Sequence, residues 1–153
     1  MVLCEYTYNM KYVANKERIN MQSSEYTVLV VDDQPGIRRL LMEVLTEEGY
    51  NVDTAANGYE CIEKTKVLKP DLILMDMKMP GMDGIETLRE LKQLNEADKV
   101  IMMTAYGELG LVTIAKELGA YAYLTKPFDI IELCTMIGQV LSSSNAERKF
   151  QIG

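Results

Sequence analysis

From Thr27 onward the chain alternates between short apolar runs and stretches whose apolar residues recur at helical spacing. Val28 to Val31, Val52 to Ala55, Leu72 to Met75, Val100 to Met103 and Tyr121 to Leu124 read as five strands. The first, third and fourth are apolar throughout, as strands covered on both faces of a parallel sheet are. Between them, Ile37, Leu40, Leu41, Val44 and Leu45 form a helical stripe, entered through Gln34-Pro35 and left at Gly49. Ile130, Leu133, Cys134, Ile137 and Leu141 repeat that spacing in the last helix, and weaker patterns fill Tyr59 to Leu68, Ile85 to Leu94 and Leu109 to Leu118. Five β-α units in succession predict an α/β fold, a doubly wound five-stranded parallel sheet between two layers of helix.

The patterning also sets the expected boundaries. Residues 1–24 are polar and aromatic without a sustained period, 25–141 carry the repeat, and 142–153 open on Ser142-Ser143-Ser144-Asn145. Two readings of the extension stand side by side. One is a translated leader ahead of a start at Met21, since Lys16-Glu17-Arg18 can be encoded by a purine-rich stretch resembling a bacterial ribosome-binding site. The other is an arm that packs through Tyr6, Tyr8 and Tyr12 on the sheet edge or on another copy.

At 153 residues, 48% of them hydrophobic, the chain suits one compact domain. A formal charge of −7 argues against nucleic acid as a direct partner, because phosphate binding needs clustered Lys and Arg. No apolar run reaches membrane-spanning length, and an acid at Glu5 interrupts the start before a signal-like segment develops, so a cytoplasmic protein is expected. Three cysteines form no even framework; Cys61 and Cys134 fall on apolar helical positions and read as inert core thiols. The chain has no histidine, so its chemistry must run on carboxylates, hydroxyls and lysines.

In an open parallel sheet, ligands bind beyond the carboxyl ends of the strands. The residues there are Asp32 and Asp33 after the first strand, Asp76 after the third, Thr104 after the fourth and Lys126 after the fifth. Each alone reads better as a solvated turn residue or helix cap, and a lysine before Pro127 as a surface group. Together they bring three carboxylates into one cleft, where like charges repel unless one is protonated or a cation intervenes. Oxygen donors without His or a thiolate cluster favour Mg²⁺. A carboxylate beside such a cation is a usable nucleophile toward phosphorus, with Lys126 and Thr104 placed to neutralise and hydrogen-bond the phosphoryl oxygens.

These residues resemble the receiver domains of two-component response regulators, over about residues 26–141. The resemblance rests on Asp32-Asp33, on Leu74-Met75-Asp76-Met77-Lys78-Met79-Pro80-Gly81-Met82-Asp83-Gly84, on Thr104-Ala105 and on Lys126-Pro127-Phe128. It implies a flavodoxin-like (β/α)5 fold and phosphorylation of Asp76. It further implies Mg²⁺ held by Asp33, Asp76 and the backbone carbonyl of Lys78, with Asp32 acting mainly through water. Lys126 and Thr104 would bind the phosphoryl oxygens, Thr104 and Tyr123 would form the switch pair, and the Lys126-Pro127 bond would be cis.

Within the family, Asp32-Asp33-Gln34, Gly36-Ile37-Arg38, Glu48-Gly49-Tyr50, Ala55-Ala56-Asn57-Gly58, Met103 to Leu109 and Lys126 to Ile130 are similar to single-domain relay members of sporulation initiation. Such a protein takes its phosphoryl group from a sensor histidine kinase and passes it to a histidine phosphotransferase, as an intermediate and not as a conventional turnover enzyme. Pro35 and Tyr123 depart from that subgroup, where a tyrosine and a histidine are expected. Gln34, Gly36, Ile37, Leu40, Pro127 and Phe128 form the expected partner-facing patch, with plain core burial of Leu40 as the competing reading. Lys78 and Tyr106, two positions beyond Asp76 and Thr104, are expected to shield the phosphoryl group from water. The main alternative is a chemotaxis-type receiver that binds a target when phosphorylated. A transcription factor is disfavoured, and a phosphate-cradling cofactor protein is argued against by an Asp-Asp-Gln-Pro turn where a Gly/Ser/Thr loop would be needed.

Overall fold

The computed structural model describes residues 25–105 and 108–142. The elements follow in the order β1 (Thr27–Val31), α1 (Pro35–Glu47), β2 (Asn51–Ala55), α2 (Gly58–Leu68), β3 (Leu72–Asp76), α3 (Gly84–Gln93), β4 (Val100–Thr104), α4 (Leu109–Glu117), β5 (Ala122–Thr125) and α5 (Ile130–Ser142). A short 3-10 turn, Ala97–Lys99, leads into β4. The expected strands and helices are all present; β5 lies one residue later than the apolar pattern placed it, and Ser142 closes α5 instead of opening a tail. The extension 1–24 with both of its readings, Tyr106, and the tail from residue 143 lie outside the described residues.

All strands pair in parallel, in the order β2-β1-β3-β4-β5. Alternate residues of the central strands feed two separate cores. Leu29, Val31, Ile73, Met75 and Met102 pack with Cys61, Leu88, Leu91 and Ala115 of α2, α3 and α4. Val28, Val30, Leu72, Leu74, Ile101 and Met103 pack with Leu41, Leu45, Leu133 and Ile137 of α1 and α5. Two-sided burial is therefore why β3 and β4 read as unbroken apolar runs, and each fully buried Leu, Ile or Met there contributes roughly 1.5–3 kcal/mol. Cys61 is fully buried, which pushes its thiol up to about 12, and half-buried Cys134 is pushed up to about 11 by the same cause, matching the inert reading.

Crossovers to opposite sides of β1 make β1 and β3 neighbours, and the gap between their carboxyl ends is the switch point of the sheet. Local chemistry shapes the loops around it. Pro35 sits in the first turn of α1, where its missing N–H costs nothing. After β3 the chain turns through Gly81, at φ +79°, and enters α3 with Asp83 Oδ1 accepting the Glu86 N–H at 2.9 Å. Gly84 lies so close to the strand that a Cβ there would stand 2.6 Å from the Asp76 carbonyl oxygen. Glycine at that position lets α3 start directly beside the end of β3.

Candidate functional site

Asp32 and Asp33 leave β1, and Asp76 ends β3. Register pairs Val31 with Met75, so the carboxylates emerge side by side, and oxygens of all three lie within 4.8 Å of one another. Asp32 is fully buried, Asp76 is 9% exposed, and Asp33 is the most open to solvent. Lys126 reaches in from the loop after β5, its Nζ 3.1 Å from Asp32 Oδ2 and 3.3 Å from Asp76 Oδ1. Its backbone N–H donates to the Thr104 carbonyl at 2.6 Å, and the Lys126-Pro127 bond is cis, as the resemblance implied. Thr104 itself is almost fully buried at the end of β4.

The electrostatics follow from this crowding. Burial pushes the Asp76 carboxyl above its ordinary pKa, the nearby Lys126 charge opposes that rise, and Asp32 and Asp33 add to it. Burial also works against the Lys126 ammonium, but its bonds to Asp32 and Asp76 outweigh that and raise its pKa. Three carboxylates facing one lysine leave the pocket short of positive charge. An all-oxygen donor set of this size, open to solvent on the Asp33 side, fits a hard divalent cation that keeps some of its water.

Asp32 is the most constrained member. Its Oδ1 accepts the Gln34 N–H at 2.9 Å, and its carbonyl accepts Arg38 Nη1 at 2.7 Å. Lys78 stands at the rim, its side chain 74% exposed, and its ammonium turns to Glu108 Oε1 at 3.3 Å instead of over the carboxylates. The other Glu108 oxygen accepts the Ala105 N–H at 2.7 Å. Tyr123 lies on β5, exposed, with Lys116 Nζ 5.3 Å from its ring centroid.

Of the expected partner-facing residues, Gln34, Gly36 and Pro127 are exposed, while Ile37 and Phe128 are half-buried against the core shared by α1 and α5. Leu40 is 46% exposed, which sets aside its reading as a plain core residue. Arg38 and Glu108 were matched only as parts of longer stretches, with no role legible. Their contacts, to a backbone carbonyl and to a lysine on another loop, leave no mark in local spacing.

The description "Response regulator receiver domain" fits residues 28–138. Sporulation initiation phosphotransferase F of Bacillus subtilis (strain 168) is 53% identical over 106 residues, 69% of this chain and 86% of that protein. Chemotaxis protein CheY of Treponema pallidum (strain Nichols) is 41% identical over 119 residues, 76% of this chain and 83% of that protein. The solved structure of a response regulator receiver domain protein from Clostridium thermocellum superposes with TM-score 0.73 at 29% identity, over 84% of this chain and 99% of that one. Against two longer curated regulators the chain spans 27% and 24% of their length. With that description matching residues 28–138, and a relative 53% identical over 86% of its own length, the chain belongs to the response regulator receiver domain family.

Proposed function

We propose that the chain is a phosphorelay intermediate of sporulation initiation, which receives a phosphoryl group on Asp76 from a sensor histidine kinase and hands it to a histidine phosphotransferase. The observation that carries this reading is the Asp76 carboxylate at the switch point, ion-paired to Lys126 and flanked by two further acids. Similarity to the Bacillus phosphotransferase over 86% of its length supports the relay role. Because the chain has no histidine, the phosphohistidine must belong to another protein.

In the transfer, an Asp76 oxygen attacks phosphorus; the O–P bond forms as the P–N bond breaks, and the leaving imidazole keeps the electron pair. Lys126 then moves its ion pair onto a phosphoryl oxygen, and the Thr104 hydroxyl donates to another. Mg²⁺, held by Asp33, Asp76 and the Lys78 carbonyl with Asp32 acting through water, would add positive charge at those oxygens when bound. Delivery to the acceptor histidine runs the same exchange backward. Thr104 and Tyr123 report the phosphoryl group to the β5 side. Gln34, Gly36, Ile37, Leu40, Pro127 and Phe128 form the docking face, so Ile37→Ala should slow transfer between proteins without unfolding the chain. No described helix is long and apolar enough to cross a membrane, which is compatible with the cytoplasmic location proposed here.

The experiment mixes the protein with autophosphorylated kinase and then with a phosphotransferase. Label passing through Asp76 to a second histidine is the expected result, and label lost only as inorganic phosphate would sink the relay. The second reading, a chemotaxis-type receiver, draws on the Treponema relative. Lifetime tests the shielding that the relay reading uses: Lys78→Asn and Tyr106→Ala should each hasten phosphate loss, the double variant more so, whereas unchanged lifetimes in all three remove that argument and leave a generic receiver.

A further inference from the structure

Glu108 has no part in the chemistry described above, yet its side chain is only 7% exposed at the edge of the pocket. A carboxylate so placed needs partners for its charge, and it has two of different kinds. Oε2 takes the Ala105 N–H at 2.7 Å, which ties it to the residue after Thr104. Oε1 takes the Lys78 ammonium at 3.3 Å, from the loop two residues beyond Asp76. The first bond is short and partly buried. The second joins a buried anion to a cation whose side chain is 74% exposed, a pairing weak enough to exchange.

We infer that Glu108 is a positioning residue that sets the lifetime of phosphorylated Asp76 by competing with the phosphoryl group for the Lys78 ammonium. The inference rests on the proposed phosphorylation of Asp76. With Asp76 bare, Glu108 holds Lys78 at the rim, away from a cleft that Lys126 already occupies. Once Asp76 carries a phosphoryl group of charge near −2, a stronger anion appears within reach of the same ammonium. Lys78 then divides its time between the two. It obstructs water only while it lies over the phosphoryl oxygens. Hydrolysis is the attack of a water oxygen on phosphorus, opposite the aspartyl oxygen. The P–O bond to Asp76 breaks, the carboxylate keeps the electron pair, and the water proton leaves to solvent as inorganic phosphate departs. By drawing Lys78 aside, Glu108 shortens the lifetime that Lys78 would otherwise give.

The test uses the full chain, labelled by phosphoramidate in Mg²⁺ so that no partner protein is needed, followed by the rate of phosphate loss. Glu108→Gln keeps an acceptor for the Ala105 N–H and removes the charge that holds Lys78. It should lengthen the lifetime about two- to five-fold, the range set by a partly exposed ion pair. In a Lys78→Asn background the same substitution should change nothing, because the effect acts through Lys78. A loop merely loosened by Glu108→Gln would alter the rate equally in both backgrounds, and that result overturns the inference. So would a shortened or unchanged lifetime when Lys78 is present. If the unaltered chain takes no label on Asp76, the site reading itself falls and the inference with it; labelled protein with the wrong variant pattern removes the inference alone.

Discussion

Two lysines in this molecule each bridge a pair of carboxylates at nearly the same distances, with opposite consequences. Lys64 lies 3.0 Å from Asp53 and 3.2 Å from Glu60, where β2 meets α2. Lys126 lies 3.1 Å from Asp32 and 3.3 Å from Asp76. At the first site the side chains of the two acids are 42% and 40% exposed; at the second they are 0% and 12% exposed, and a third carboxylate joins them. The Glu60 carboxyl is held below its ordinary pKa chiefly by the Ala56 N–H; burial opposes that, and Lys64 and Arg38 add to the lowering. Asp76 goes the other way, because burial and two neighbouring acids outweigh one lysine. Ion-pair distance therefore does not tell a structural pair from the one proposed to react. Desolvation and the count of like charges do.

The contrast can be broken or sharpened by paired substitutions, taken from the largest expected effect down. Asp76→Asn should abolish phosphoryl uptake from phosphoramidate, while Asp53→Asn should label normally; equal labelling of the two would erase the distinction. Lys126→Met comes next. It should slow uptake by about 100-fold or more through loss of a cation at the phosphoryl oxygens, and lower unfolding free energy by about 2 kcal/mol because buried acids lose their counter-charge. Lys64→Met should leave uptake unchanged and cost less than about 1 kcal/mol, as exposed pairs do. Rates and urea denaturation together check both halves.

A third comparison lies within the acidic cleft. Asp33→Ala should raise the stability of the metal-free protein by about 1 kcal/mol, since it relieves repulsion without disturbing the bonds that hold Asp32. Thermal melts with and without Mg²⁺ should show stabilisation by the metal in the unaltered chain and little in the variant. A destabilised Asp33→Ala would mean that the cleft is not strained. The smallest effect belongs to Glu60. Its folded pKa is depressed, so its contribution is present above the ordinary carboxylate range and is lost as pH falls through the lower folded value. Glu60→Gln should therefore narrow the stability gap between neutral and acid pH slightly, as read from denaturation midpoints.

Much of the architecture was written in local pattern. β1, β3 and β4 are buried on both faces, which demands apolar residues along them up to the carboxyl ends that enter the cleft, so they could be read directly. β5 was harder, because only Leu124 is buried there, and the shift of one residue in its start reflects that thin signal. The acidic set was equally legible, since ligands of a doubly wound sheet sit where strands end, and Asp32, Asp33, Asp76, Thr104 and Lys126 all follow apolar runs. Residue order alone thus determined the fold class and the members of the cleft. Tertiary structure decided how they are used. It placed Lys126 across the sheet between Asp32 and Asp76, left Leu40 on the surface despite its place in an apolar stripe, and turned Lys78 toward Glu108 instead of the carboxylates. Those outcomes depend on burial and on charges brought together from distant loops, and neither quantity exists until the sheet has closed around its two cores.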